Sequence, residues 1–366
     1  MTRRGESQRR GRGVRAATAA GIAAALTILA ACAPVGAPPT PAPPGSGSSE
    51  AATLPEVFAD GLDAPWSMAF VDGAVIVSER DTARILELDA TGAAREIGVV
   101  EGVRSGGEGG LLGLAVHEGE LYAYSTGERG NRVERRELRG EPGGFSLGGP
   151  TTVIDGIPSS SNHNGGRIAF GPDGMLYITT GDAGDRPSAQ DVDALSGKIL
   201  RLEPHGGVPD DNPFPGSPVY SYGHRNPQGI GWGADGTLYA SEFGQDTWDE
   251  LNVIEPGGNY GWPEVEGMAG REGFIDPVQQ WAPGEASPSG LAVTDSAILI
   301  ANLRGERLRA VPLDDLGTST ETLVGEHGRL RDVAVTDDAV WVLTNNTDGR
   351  GEPRDGDDRL IVLPRD

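Results

Sequence analysis

His163 stands between two asparagines in a loop of small polar residues, Ser159-Ser160-Ser161-Asn162-His163-Asn164-Gly165-Gly166-Arg167. An imidazole titrates near neutrality, at about 6.5 when unperturbed, which makes such a residue a natural general base. The same histidine would serve as well to hydrogen-bond its own loop. Asp182, in Gly181-Asp182-Ala183-Gly184-Asp185, could orient that imidazole and stabilise its protonated form. Read alone, it is an Asx turn closing a strand. A third cluster, Tyr222-Gly223-His224-Arg225-Asn226-Pro227-Gln228-Gly229, concentrates a cation, two amides and an imidazole between glycines. The planar fork of Arg225 suits a carboxylate or a developing oxyanion. In the fourth, Ser241-Glu242-Phe243-Gly244-Gln245-Asp246-Thr247-Trp248-Asp249-Glu250 precedes Asn259-Tyr260-Gly261-Trp262-Pro263. Acidic residues beside glycine carbonyls suit a hard cation such as calcium, which takes six to eight oxygen ligands. The fifth, Gly328-Arg329-Leu330-Arg331-Asp332, puts two arginines at alternate positions of an extended segment, so both point the same way. Two guanidiniums aimed at one place imply an anionic ligand.

What must position these clusters is a repeat. A turn followed by a β-rich run recurs six times: Asp72-Gly73, Glu118-Gly119, Asp173-Gly174, Asp235-Gly236, Asp295-Ser296 and Asp337-Asp338. Asp-Gly between β-rich runs is a strong hairpin signal, because such a turn needs positive φ. The copies lie 42 to 62 residues apart, against a usual blade repeat of ~40–50. Six such units predict an all-β chain folded as a six-bladed β-propeller of four-stranded antiparallel blades, which leaves no open sheet edge. The 57 glycines and 27 prolines suit a turn-rich β chain. Loops on one face of a propeller converge on its axis. Function is therefore expected in the longest inter-repeat stretches, 100–113, 156–167, 181–232 and 242–262.

The first residues read as an address. Six arginines precede an apolar run from Ala16 to Ala31, shorter than the ~20 residues a membrane-crossing helix needs. That is the pattern of a secretory signal peptide. It ends in Leu29-Ala30-Ala31-Cys32, which resembles the lipobox of bacterial lipoproteins, where the cysteine is lipidated. Residues 33–50 are mostly Pro, Ala, Gly and Ser, a composition that cannot offset its ordering entropy by burial. The expected organisation is a leader over 1–31, a lipidated Cys32 with a tether over 32–52, and the propeller over 53–366. The membrane is then met only through the lipid, on the outer face of the cytoplasmic membrane or the periplasmic side. Cys32 is the only cysteine, so the mature domain has no disulfide and no cysteine nucleophile. Lys198 is the only lysine, so Schiff-base chemistry would have to run through it. The net charge of −24 makes nucleic acid an unsuitable partner, because phosphate backbones are repelled.

The stretches GEGGLLGLA, NHNGGRIAFGPDGMLYITTGDAGD, LSGKILRLEP, GHRNPQGIGW, SEFGQDTWDELNVIEPGGNYGWP and GRLRDV together resemble the pyrroloquinoline quinone (PQQ)-dependent soluble sugar dehydrogenases, the aldose branch more than the glucose-specific one. The resemblance implies oxidation of an aldose at C1 to the lactone, with electrons passed on to an acceptor of unassigned identity. It implies His163 as general base, Asp182 as the acid that orients it, and Arg225 as the residue stabilising the reduced cofactor. It assigns Glu108, Asn226, Gln228, Arg304, Arg329 and Arg331 to cofactor contacts, with Arg304 where the family often has lysine. The carbonyls of Gly244 and Gln245 would hold the cofactor calcium, and Glu250 and Tyr260 a second, structural calcium. Two rivals share the fold: a ligand-binding propeller without turnover, and a calcium-dependent lactonase-type hydrolase.

Overall fold

Each of the six turns joins the first two strands of an antiparallel sheet in the computed structural model, which describes residues 56–365; five sheets have four strands, and the second adds a short fifth, Ser146–Leu147. The turns reach the same result by three chemistries. Asp72-Gly73 and Glu118-Gly119 carry positive φ at both residues, 48° and 84° in the first, 49° and 78° in the second, as a two-residue hairpin requires. In Asp173-Gly174 and Asp235-Gly236 only the glycine has positive φ. There the aspartate Oδ1 accepts the amide of Met175 at 3.1 Å or of Thr237 at 3.0 Å. The last two turns use neither device; the Thr294 hydroxyl accepts the amides of Ser296 and Ala297 at 3.2 and 2.9 Å.

The innermost strands are Pro65–Val71, Leu111–His117, Ile168–Phe170, Pro227–Trp232, Pro288–Val293 and Leu330–Val335. Each touches the next, and the last touches the first. The ring is a six-bladed propeller. Its last blade is completed by the first described strand: Glu56–Ala59 pairs antiparallel with Leu360–Pro364, Glu56 opposite Val362. Joining the first and last described strands in one sheet removes the edge that a linear array would expose. Apolar clusters fill the gaps between blades, as with Ile76, Ile85, Leu111 and Leu121 between the first two. No helix among the described residues is long and apolar enough to cross a membrane. The leader, Cys32 and the whole tether, with residues 53–55 of the expected propeller segment, lie outside the described residues.

The inter-repeat stretch 181–232 contains the strands Lys198–Leu202, Val219–Tyr222 and Pro227–Trp232. Its site residues lie at the ends of these strands, where the chain turns onto the axial face.

The inner strands carry Ser67, Gly113, Gly229, Gly290 and Asp332 at the same level as Arg167, which directly precedes Ile168–Phe170 and donates to both Ser67 Oγ and Asp332 Oδ2. The small residues are required by space: a Cβ at Gly290 would fall 1.9 Å from Asp332 Oδ1, and one at Gly113 2.3 Å from the Gly166 carbonyl oxygen. Into the room they leave, Arg167 Nη1 reaches Asp332 Oδ2 at 2.8 Å, with both side chains buried. Arg167 also stacks over Trp66, 4.4 Å from the ring centroid. Breaking such a pair leaves a buried charge without its counterion, at a cost of about 3–5 kcal/mol. Asp332→Asn is therefore expected to destabilise the propeller by roughly that amount in urea denaturation. A midpoint unchanged from wild type would show that the bridge contributes nothing net.

Candidate active site

Above that level the axis opens into a cavity of about 150 Å³, lined by Trp66, Phe243, Glu108, Gln228 and five guanidiniums: Arg80, Arg304, Arg329, Arg331 and Arg350. Arg329 and Arg331 flank Leu330 at the start of an inner strand, so alternation points both inward, as expected from the sequence. Asp348, fully buried as a side chain, lies beneath them. Its Oδ2 is 3.7 Å from Arg80, 3.4 Å from Arg329, 3.7 Å from Arg331 and 3.9 Å from Arg350. Burial raises the Asp348 pKa, but Arg331 and Arg329 outweigh it and hold the carboxylate below its usual range. Arg80 also donates from Nε and Nη2 to the two oxygens of Asp81 at 2.7 and 2.8 Å, but Asp348 alone cannot neutralise Arg329, Arg331 and Arg350. Burial pushes Arg331 down to about 9, with Asp348 opposing and the neighbouring arginines adding to the fall. Arg331 Nη1 donates to Gln228 Oε1 at 2.9 Å, yet Arg331 Nε and Arg80 Nη1 are buried without a hydrogen-bond partner. Buried donors in that state call for an acceptor. In a chain of net charge −24, this is a site for an anion.

His163 and Asp182 meet beside this cavity. His163 Nδ1 lies 2.7 Å from Asp182 Oδ1, and both side chains are buried. An ionised carboxylate only accepts, so Nδ1 carries a proton toward Asp182, and in the neutral imidazole Nε2 is the nitrogen left with the lone pair. Asn162 Nδ2 faces that lone pair at 3.3 Å. Asp182 is fixed in turn: Oδ1 accepts the Gly184 amide at 2.7 Å, and Oδ2 accepts Trp262 Nε1 at 2.8 Å. Burial alone would raise its pKa, but the hydrogen bonds from His163, Gly184 and Trp262 hold it low, so it stays ionised. His163 has a φ of 57°, a left-handed conformation that costs a non-glycine residue energy. The strain is held by two contacts: the His163 amide donates to Glu108 Oε2 at 2.9 Å, and its carbonyl accepts the Ala183 amide at 3.1 Å. Glu108 Oε2 also accepts Asn226 Nδ2 at 3.2 Å. One carboxylate on the cavity wall thus joins His163 to the GHRNPQG segment.

Within that segment the side chains separate. Arg225 is buried, donates from Nε and Nη2 to Gln245 Oε1 at 3.2 and 2.9 Å, and from Nη1 to the Phe243 carbonyl at 3.0 Å. Desolvation lowers its pKa. Asn226 Oδ1 accepts the Gly165 amide at 3.0 Å. His224 turns away into the protein. Its Nδ1 meets Glu242 Oε2 at 2.9 Å, its Nε2 meets Ser221 Oγ at 2.8 Å, and its ring stacks on Tyr260. The distances are those of a serine-hydrolase triad, but Ser221 and His224 are fully buried, so no substrate reaches them. Glu242 Oε1 accepts the amides of both Arg225 and Asn226; the trio orients the segment.

The 244–248 loop is built to present oxygen. The Gly244 amide donates to Asp249 Oδ1 at 2.8 Å, and the amides of Gln245, Asp246, Thr247 and Trp248 all converge on Glu266 Oε1 at 2.7 to 3.3 Å. With the N–H groups committed to carboxylates, the Gly244 and Gln245 carbonyls accept no hydrogen bond among the described residues. A Cβ at Gly244 would fall 1.7 Å from the Trp248 carbonyl oxygen, so the loop needs glycine there. Behind it, Glu242, Glu250, Tyr260 and Glu266 line a small void. Burial, and then the Glu242 charge, push Glu250 well above the usual carboxylate range; a cation there would relieve it. Tyr260 differs from a simple side-chain ligand, because its phenol donates to the Val253 carbonyl and accepts the Glu255 amide. Only its carbonyl is left to bind a metal. Among the described residues no three His, Cys, Asp or Glu side chains form a metal centre by themselves.

The family model of glucose/sorbosone dehydrogenases matches residues 62–359. The chain belongs to that family. Among solved structures, the glucose/sorbosone dehydrogenase fold here is similar to the PQQ-bound aldose sugar dehydrogenase of Streptomyces coelicolor. The TM-score is 0.82 with 51% identity, over 84% of this chain and 96% of that one. It is 31% identical to an aldose sugar dehydrogenase of Escherichia coli over 80% of this chain and 90% of the relative. It is 32% identical to quinoprotein glucose dehydrogenase B of Acinetobacter calcoaceticus over 60% of this chain. That last match spans about half the relative's length, 54%. Membership makes the chain an oxidoreductase of the sugar dehydrogenase type.

Glu108, Gln228, Arg304, Arg329 and Arg331, which the resemblance assigns to cofactor contacts, all line the cavity. His163, Arg225 and Asn226 are tied to its wall, and Gly244 and Gln245 follow the lining residue Phe243. Sequence reasoning missed Trp66, Arg80, Asp348 and Arg350. A signal for Arg80 was present: the eighth residue after the turn aspartate is Arg80, Phe243 and Leu303 in three repeats, and all three line the cavity.

Proposed function

We propose that this family member oxidises aldose sugars at C1 to the lactone, using PQQ and calcium. The observation that carries the reading is the axial ring of guanidiniums with unpartnered buried donors, set beside an imidazole whose Nε2 meets only the side-chain amide of Asn162. PQQ carries three carboxylates, and Arg329 and Arg331, with Arg80, Arg304 and Arg350 around them, would hold them. The carbonyls of Gly244 and Gln245 would hold its calcium, and Glu250 with the Tyr260 carbonyl would hold a second. When bound, the cofactor supplies a two-electron hydride acceptor, polarised by the cation.

The protein's own part is proton transfer and charge. His163 Nε2 takes the proton of the sugar C1 hydroxyl. Asp182 keeps the acceptor nitrogen facing the substrate and stabilises the imidazolium. Arg225, held by Gln245 and the Phe243 carbonyl, offers positive charge where negative charge develops. A binding propeller without turnover has no use for a strained histidine paired with a buried carboxylate. A metal-dependent lactonase needs a cation held by carboxylates and amides on the axis, where here five arginines surround Glu108 and Gln228 and would repel that cation. The leader and Cys32 extend the same reading to an exported, lipid-anchored enzyme that passes electrons to an external acceptor.

The test is reconstitution. Purified protein is given PQQ and calcium and assayed for dye reduction with a panel of aldoses. Activity dependent on both additions is expected. Protein that neither binds PQQ nor reduces dye with any aldose would favour the ligand-binding alternative.

A further inference from the structure

Lys198, the only lysine in the chain, has no exposed surface and no carboxylate in contact. Its Nζ donates to three main-chain carbonyls, Ser188 at 2.8 Å, Ala189 at 3.1 Å and Ser196 at 2.6 Å. All three ammonium protons are thereby used. Two of those carbonyls belong to the short 3-10 helix Arg186–Gln190. At its end Gln190 Nε2 donates to Asn259 Oδ1 at 3.0 Å and to the Trp262 carbonyl at 2.7 Å, while Asn259 Nδ2 returns a bond to Gln190 Oε1 at 2.9 Å. Trp262 then donates from Nε1 to Asp182, and Asp182 holds His163.

We infer that Lys198 is a positioning residue for the base: its ammonium fixes the 186–190 segment, which through Gln190 and Trp262 sets the Asp182 carboxylate against His163. The inference rests on the reading of His163 as the base. The geometry makes the charge matter. A neutral amine has two protons and a lone pair, so on deprotonation one carbonyl loses its donor and faces that lone pair. Burial pushes the Lys198 pKa down to about 8, with Asp191 partly opposing. Asp191 is the one charge acting on it. The partners across its strand are Thr180 and Tyr222, and the imidazole of nearby His224 is committed to Ser221 and Glu242. Because the folded pKa lies below the unfolded one, global stability rises with pH between the two values. A fall in activity over that window would therefore report local positioning and not unfolding.

The test uses the full chain labelled with 15N-lysine and 15N-tryptophan; the lone lysine yields a single side-chain signal, and Trp262→Phe identifies its indole signal. In the apo protein the Trp262 Nε1–H resonance is expected to shift with the midpoint of the Lys198 titration. In the reconstituted enzyme, kcat is expected to fall on the alkaline side with the same midpoint. Lys198→Met is expected to lower kcat about 10- to 100-fold, the scale of a displaced catalytic group, with KM little changed and the alkaline fall gone. A Trp262 signal indifferent to the lysine titration would overturn the inference, as would a folded Lys198→Met enzyme that keeps wild-type kcat or its alkaline fall. The Trp262 signal is read without substrate or cofactor, so it tests the strut even where His163 proves not to be the base.

Discussion

Replacing His163 with asparagine is expected to cut kcat by about 10²–10⁴-fold, the usual contribution of a positioned general base, while PQQ binding is largely unchanged. Asparagine is the informative replacement. Residue 163 holds a φ of 57°, and asparagine tolerates that region better than most residues. The amide bond to Glu108 and the carbonyl bond from Ala183 then survive, so the loss isolates the imidazole. Asp182→Asn is expected to cost a comparable factor by another route. Its amide can donate to Nδ1, which moves the imidazole proton to Nε2 and removes the lone pair. Steady-state kinetics on the reconstituted variants check both; a His163→Asn enzyme with wild-type kcat would remove the base from the mechanism.

Replacing Arg331 with methionine is expected to weaken PQQ binding by about 2–5 kcal/mol, roughly 30- to 4000-fold in Kd. Arg331 is buried, it bonds Gln228, and its Nε lacks a partner until an anion arrives. Methionine fills much the same length without charge. Asp348 retains Arg80, Arg329 and Arg350, so the fold should survive. Arg350→Met is the natural comparison: its side chain is 40% exposed, solvent screens its charge, and a smaller loss is expected. Equal losses at the two positions, read by titrating PQQ into each apo protein, would mean that the cavity binds through diffuse charge and not through a specific contact.

The turn residues made the blade count legible, because the hairpin joining the first two strands of every sheet carries its own local signal. Outer strands such as Thr320–Thr322 carry none; they are placed by pairing with a neighbour. The closing strand Glu56–Ala59 is set by a partner at the other end of the chain, which no local pattern encodes. The site followed the same division. GHRNPQG and GRLRD were visible because inner strands begin there and concentrate unusual side chains. Asp348, in Thr347-Asp348-Gly349, looks like any turn aspartate; only the four guanidiniums that fold around it give it a role. The fate of His224 was also hidden, since its burial depends on Glu242 and Ser221 from separate strands.

The most direct measurement is an anaerobic single turnover. Apo protein loaded with calcium and one equivalent of PQQ is mixed with an aldose, and with the same sugar deuterated at C1, while the quinone absorbance is followed. The account predicts stoichiometric loss of the oxidised-quinone band, slowed by deuterium in a primary isotope effect. A quinone that binds in this cavity yet stays oxidised with every aldose offered would contradict it.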